Sequence, residues 1–272
     1  MDRIVTMSHL NAYIGRYAAK RHRRPVEKKT GWDVEGSFLE KIPILALRNR
    51  DMEGESPLSW RRDRNLDHAI TLAFNRLKAW QAFRPASADK LGQKIKSDFP
   101  GILLKLQRQL REYHVKSLRD IVKLDQKEYN KVLVLIAKAV GNISSHKSDL
   151  YPMLGSKLLH LLLPEFFPIW DTAWIKSRCL VDEPRDLKTW LPPDVVRKLN
   201  FCGKASAEYG WYFALMVRDL EKTGVKECAR IAEALIRHSR IPQEVIDYHF
   251  FDVSAILFEF CLLGKHIGCN TG

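Results

Sequence analysis

Lys157 and Asp171 lie at either end of a short, strongly apolar stretch, within the segment YPMLGSKLLHLLLPEFFPIWDTAW that covers residues 151–174. A lysine set just behind a glycine-containing turn can grip a phosphate, or attack a carbon when its amine is neutral. A carboxylate presented at the start of the following helix can stabilise the positive charge that builds on a sugar carbon as its bond to a base breaks. It can also orient or deprotonate a water. Such chemistry has two further needs. The base must leave its stack for an apolar or aromatic pocket. The backbone must be held by its phosphates, often through free N–H groups where a turn enters a helix.

The elements that position these groups are readable from the same segment. Pro152 and Gly155 flank a tight bend, and glycine allows a close backbone approach to a ligand. Leu154, Gly155 and Ser156 would offer N–H groups to a phosphate as the helix opens at Ser156 and Lys157. Leu158, Leu159, Leu161, Leu162 and Leu163 are nearly continuous, which predicts deep packing, and Pro164 ends the helix. The chain then returns through Phe166, Phe167, Pro168 and Ile169 to Trp170 and Asp171. Trp170 and Trp174 bracket the aspartate. Together with Trp211 and His160, one helical turn beyond Lys157, they are the candidates for a base pocket. Each residue also has a plainer reading. Asp171 can be an N-cap, Lys157 a solvated helix-start residue, His160 a packed core histidine, and the tryptophans core.

The bulk properties narrow the partner. The chain of 272 residues has a formal charge of +13, an excess that favours polyanions and nucleic acid first. The charge is also clustered. Lys20, Arg21, His22, Arg23 and Arg24 form one group; Arg61, Arg62 and Arg64 form a second beside Trp60. Each cluster reads as a phosphate grip or as a solubilising surface. Five cysteines, an odd number with no CxxC spacing, argue against a zinc or iron–sulfur site, so no metal and no cofactor is expected. No secretory leader or membrane span is read from the sequence, and the expected location is cytoplasmic, alongside the nucleoid.

Helical periodicity dominates, over residues 66–83, 90–110, 126–140, 205–220, 225–237 and 251–263, with the second of these split into two pieces at Pro100 and Gly101. Alternating strand signals are scarce, so the expected fold class is all-α. Residues 23–65 read as an irregular wrap over the helical body, with one compact apolar run at residues 42–47.

The segment around Lys157 resembles the core of the helix-hairpin-helix DNA glycosylase superfamily. Pro152, Gly155 and Lys157 match the proline, second glycine and lysine of that family's hairpin; Asp171 and Thr172 match its aspartate and following threonine. Met153 stands in place of the first hairpin glycine and Ala173 in place of a frequent histidine. The intervening helix is short, and no four-cysteine loop follows. The pattern is that of a divergent branch without an iron–sulfur cluster. The resemblance implies two helical domains, residues 63–164 and residues 1–62 plus 165–272, with the active site in the cleft between them. It implies Asp171 as catalytic carboxylate and Lys157 as candidate Schiff-base nucleophile. The expected activity is excision of a damaged or modified base from double-stranded DNA, in repair or in attack on modified foreign DNA, by a monomer without an obligate protein partner. A helical nucleic-acid-binding module that has lost the chemistry is the competing expectation.

Overall fold

A computed structural model describes residues 41–49, 60–79, 85–147, 152–180 and 191–223, with residues 8, 9, 12 and 183 as isolated positions. Eight α-helices occur among these residues: α1 Ile42–Asn49, α2 Arg64–Ala79, α3 Pro85–Glu112, α4 Leu118–Ile121, α5 Gln126–Ser144, α6 Met153–Leu162, α7 Pro193–Phe201 and α8 Lys204–Thr223. A π-helical segment, Thr172–Cys179, lies between α6 and α7. No strand is present among the described residues, so the fold class is all-α.

Helix α5 is the hub. Its N-terminus is fixed by Asp125, whose carboxylate accepts from Glu128 N at 2.8 Å. The face carrying Val132, Leu133, Ile136, Val140 and Ile143 is buried, and α3, α6, α7 and α8 all pack on this helix. Among the described residues a continuous apolar core runs from Ile44 to Val217 and includes Leu162, Leu163 and Phe166. The expected helices at residues 225–237 and 251–263 lie outside the described residues, as does most of residues 1–40.

Two expectations are corrected. Helix α3 runs unbroken for 28 residues through Pro100 and Gly101 instead of dividing there. Proline in a helix interior forfeits a hydrogen bond and costs about 3 kcal/mol. Here it sits within a buried stripe of Leu91, Ile95, Phe99, Leu103, Leu106 and Leu110, and that continuous burial outweighs the lost bond. The apolar run at residues 42–47 is not part of an irregular wrap but forms α1, with Pro43 in the first turn, where its missing N–H costs nothing. Ile44, Leu45 and Arg48 all face inward. The inward arginine hid the helical pattern, because a charged residue interrupted the apolar face.

Gly155 is explained by packing, not by a turn. It lies inside α6, where a Cβ would collide with Val140 O and stand 2.8 Å from Ser144 Oγ on α5. Gly101, in contrast, has open space around it. The two positions generate opposite expectations in chemical denaturation. Gly155→Ala should cost about 2–3 kcal/mol by forcing α6 off α5, whereas Gly101→Ala should stabilise by about 0.5–1 kcal/mol. Equal effects at the two sites would disprove this account of the α5–α6 contact.

Candidate functional site

Residues 163–171 connect α6 to the π-helical segment without regular structure, and every one of them is buried. Buried backbone groups must find partners, and this stretch finds them one by one. Leu163 N donates to Leu159 O, and Phe166 N and Phe167 N donate to Leu163 O. Leu118 N donates to Glu165 O. His160 Nδ1 lies 2.5 Å from Phe167 O, and a carbonyl only accepts, so the ring proton is on Nδ1. Tyr209 and Tyr212, on α8, donate their hydroxyls to Pro168 O at 3.0 Å and Ile169 O at 3.2 Å. Trp170 N donates to Ser156 Oγ at 3.0 Å. Pro164 and Pro168 bring no N–H to satisfy.

This scaffold delivers Asp171 to Lys157. Lys157 Nζ donates to Asp171 Oδ2 at 3.2 Å, joining α6 to the start of the π-helical segment. The side chains retain 8% and 12% of their exposure, so the pair is largely withdrawn from water yet touches it. The Asp171 carbonyl accepts from both Ile175 N at 2.9 Å and Lys176 N at 3.1 Å. Bonds of the i to i+5 type are rare and often mark functional sites. Lys176 in turn pairs with Glu208 on α8, tying this segment to the same helix that holds residues 168 and 169.

The other expected site residues divide clearly. Leu154, Gly155 and Ser156 are buried in the first turns of α6, which begins at Met153, earlier than expected. Gly155 N is taken by Ser144 Oγ at 2.9 Å and Ser156 N by Pro152 O, so these two N–H groups serve the fold rather than a phosphate. Trp170 and Trp211 are core residues, not the walls of an open pocket. Their rings meet edge to face at 6.1 Å, and Tyr212 packs on Trp170 at 5.0 Å. His160 is fully buried and serves Phe167 O. Arg61 and Arg62 are exposed. The Trp174 side chain and Arg21, Arg23 and Arg24 lie outside the described residues. Among the described residues no group of His, Cys, Asp and Glu is gathered to hold a metal, and no helix is long and apolar enough to cross a membrane.

Sequence reasoning missed Ser156, Tyr209 and Tyr212 as positioning groups. It also missed a buried ion pair, Arg48 Nη1 to Glu165 Oε1 at 2.6 Å, which with Trp60 Nε1 donating to Leu162 O at 3.1 Å secures the far end of α6. The available signal was the density of prolines and aromatics. A proline-rich return inside a core needs hydroxyl or indole donors nearby.

No family model matches this chain, nor does any curated protein or any solved structure.

Two measurements test the site's electrostatics. Removing one partner of a largely buried ion pair strands the other charge. Lys157→Met and Asp171→Asn should each destabilise by about 2–4 kcal/mol, and the double variant by less than their sum, with about 1–3 kcal/mol of coupling. Strict additivity would mean that the contact is energetically idle. Burial first, and the Lys41 charge second, hold His160 well below its ordinary pKa, against the opposing bond to Phe167 O. The unfolded chain takes up that proton near pH 6.5 while the folded chain does not. Stability is therefore complete above that pH and declines below it, by up to about 1.4 kcal/mol per pH unit until the folded group also titrates. His146, lowered by burial and by Lys94, adds to the same slope. A His160→Gln variant should show a shallower decline between pH 6.5 and 5 than the parent; an unchanged slope would contradict the assignment.

Proposed function

We propose that the protein is a DNA glycosylase of helix-hairpin-helix type, excising a damaged or modified base from double-stranded DNA and leaving an abasic site. The observation that carries this reading is the meeting of Lys157 Nζ and Asp171 Oδ2 at 3.2 Å. These are the two residues that the family's hairpin and aspartate motifs single out, and they arrive from different elements on a scaffold that spends many specific hydrogen bonds to hold them. The chain's charge of +13 supports a polyanionic substrate.

In this mechanism the Asp171 carboxylate lies against the sugar of an extruded nucleotide. It stabilises the positive charge that develops as the glycosidic bond lengthens, and it orients the attacking water. Lys157 holds that carboxylate in place until substrate arrives, then contacts the phosphate or the base. While its ammonium is paired with Asp171, its lone pair is not available for attack, so a lyase step requires the pair to open first. The two-domain arrangement, with residues 63–164 facing residues 1–62 and 165–272 across a cleft, belongs to this proposal. So do the monomeric state and the intracellular setting, in repair or in attack on modified foreign DNA.

A second reading has two observations in its favour. Trp170 and Trp211 are committed to the core, and Lys157 and Asp171 satisfy each other. A helical module that binds nucleic acid without cutting would look the same, and it yields no abasic product from any duplex.

Screening the protein against duplexes carrying oxidised, alkylated and enzymatically modified bases, with alkali to reveal abasic sites, separates the two. On a duplex that is cut, Asp171→Asn should lower excision by at least about a hundredfold and leave duplex binding largely intact. Excision at the parent rate by that variant would refute the role given to the carboxylate. Borohydride trapping on abasic DNA reports whether Lys157 also attacks.

A further inference from the structure

Helix α3 carries a feature that the Lys157–Asp171 pair does not use. An open groove of about 540 Å³ is lined by Trp60, Leu104, Gln107, Arg108, Arg111 and Glu112. Lys105, Arg108 and Arg111 recur at three-residue intervals and are exposed, so they follow one stripe of the helix. Two of the groove's six lining residues are arginines and one is a carboxylate.

The wall opposite α3 is built, not incidental. Trp60 N donates to Gln107 Oε1 at 2.8 Å, and Gln107 Nε2 donates back to Trp60 O at 3.2 Å. This reciprocal pair engages both ends of a buried glutamine amide and clamps the Trp60 backbone to α3. The Trp60 indole is itself buried and anchored to Leu162 O. The chain then runs directly into exposed Arg61 and Arg62. The next carboxylate, Asp63, accepts from Leu66 N at 2.9 Å at the start of α2 and is thereby occupied. Among the described residues, the side chains of Arg62 and Arg108 make no hydrogen bond or ion pair, whereas Arg61 and Arg111 are engaged within the protein.

We propose that this groove is a docking site for the phosphodiester backbone of duplex nucleic acid, with Arg108 and Arg111 as the phosphate contacts and Arg61 and Arg62 as the flanking charges. Guanidinium groups on a rigid helix match phosphate bidentately, and the Gln107–Trp60 clamp fixes the second wall before binding, so little ordering is lost on association. The site rests on the nucleic-acid part of the proposed function and not on base excision. It also reaches the proposed centre mechanically, since Trp60 holds the C-terminal end of the helix that carries Lys157.

The test is fluorescence anisotropy of a labelled duplex with the full chain over a salt series, an assay that reads no base release. Arg108→Gln/Arg111→Gln should weaken binding at least about fivefold and make the slope of log K against log salt shallower by about two. Lys123→Gln/Lys127→Gln removes the same charge from exposed positions around the start of α5 and should change affinity less than about twofold. Arg108→Lys/Arg111→Lys, which keeps both charges, should keep the salt slope. Equal weakening by the glutamine pairs, parental affinity in the arginine pair, or no duplex binding by the parent each overturns the proposal. Displacement of the duplex by poly-glutamate at matched charge concentration would reassign the groove to an acidic protein and overturn it likewise.

Discussion

Irregular chain buried inside an all-helical body is costly, because every N–H and C=O in it has left water. Residues 163–171 meet that cost, and much of the surrounding architecture follows from it. Ser156, His160, Tyr209 and Tyr212 are polar groups in an apolar interior, and each has its partner on this stretch. Apart from their rings, these side chains serve as backbone partners that the stretch lacks within itself. Helix α8 therefore does more than cover α5. It supplies the hydroxyls that let the chain pass through the core to Asp171.

The same constraint accounts for the ion pairs. Arg48 and Glu165 meet at the beginning of the irregular stretch, and Lys157 and Asp171 at its end. A buried ion pair adds little net stability compared with a well-packed apolar pair, but breaking one is expensive. Placed at both ends, the two pairs penalise any register other than the observed one. Asp171 is thus fixed on its Lys157 side by charge and at its carbonyl by Ile175 N and Lys176 N, while the preceding Trp170 N is held by Ser156 Oγ.

How much of this was legible in the sequence varied with the kind of residue. The apolar period located α5 and α8, and the leucine run with Pro164 located α6 and its end, because burial and backbone geometry depend on near neighbours. The pairing of Lys157 with Asp171 was visible only as motif spacing. The roles of Gly155 and the aromatics were not visible. Gly155 was read as a turn residue, yet its lack of a Cβ serves contact with Val140 and Ser144 on another helix. Trp170 and Trp211 were read beside a pocket, yet their rings face each other. Pro100 was read as a break, since its local penalty shows in sequence and the buried stripe that outweighs it does not. In each case the deciding contact lay far along the chain.

The tyrosine bonds to residues 168 and 169 span 41 and 43 positions, the Trp60 bond to Leu162 spans 102, and the Arg48–Glu165 pair spans 117. The acid and its lysine are therefore not a portable cassette. Grafted into another scaffold, the segment around residues 151–174 would bring its carbonyls but leave behind the remote donors that silence them. A substitution in α1, at Trp60 or in α8 is therefore felt at the Lys157–Asp171 pair without touching either residue.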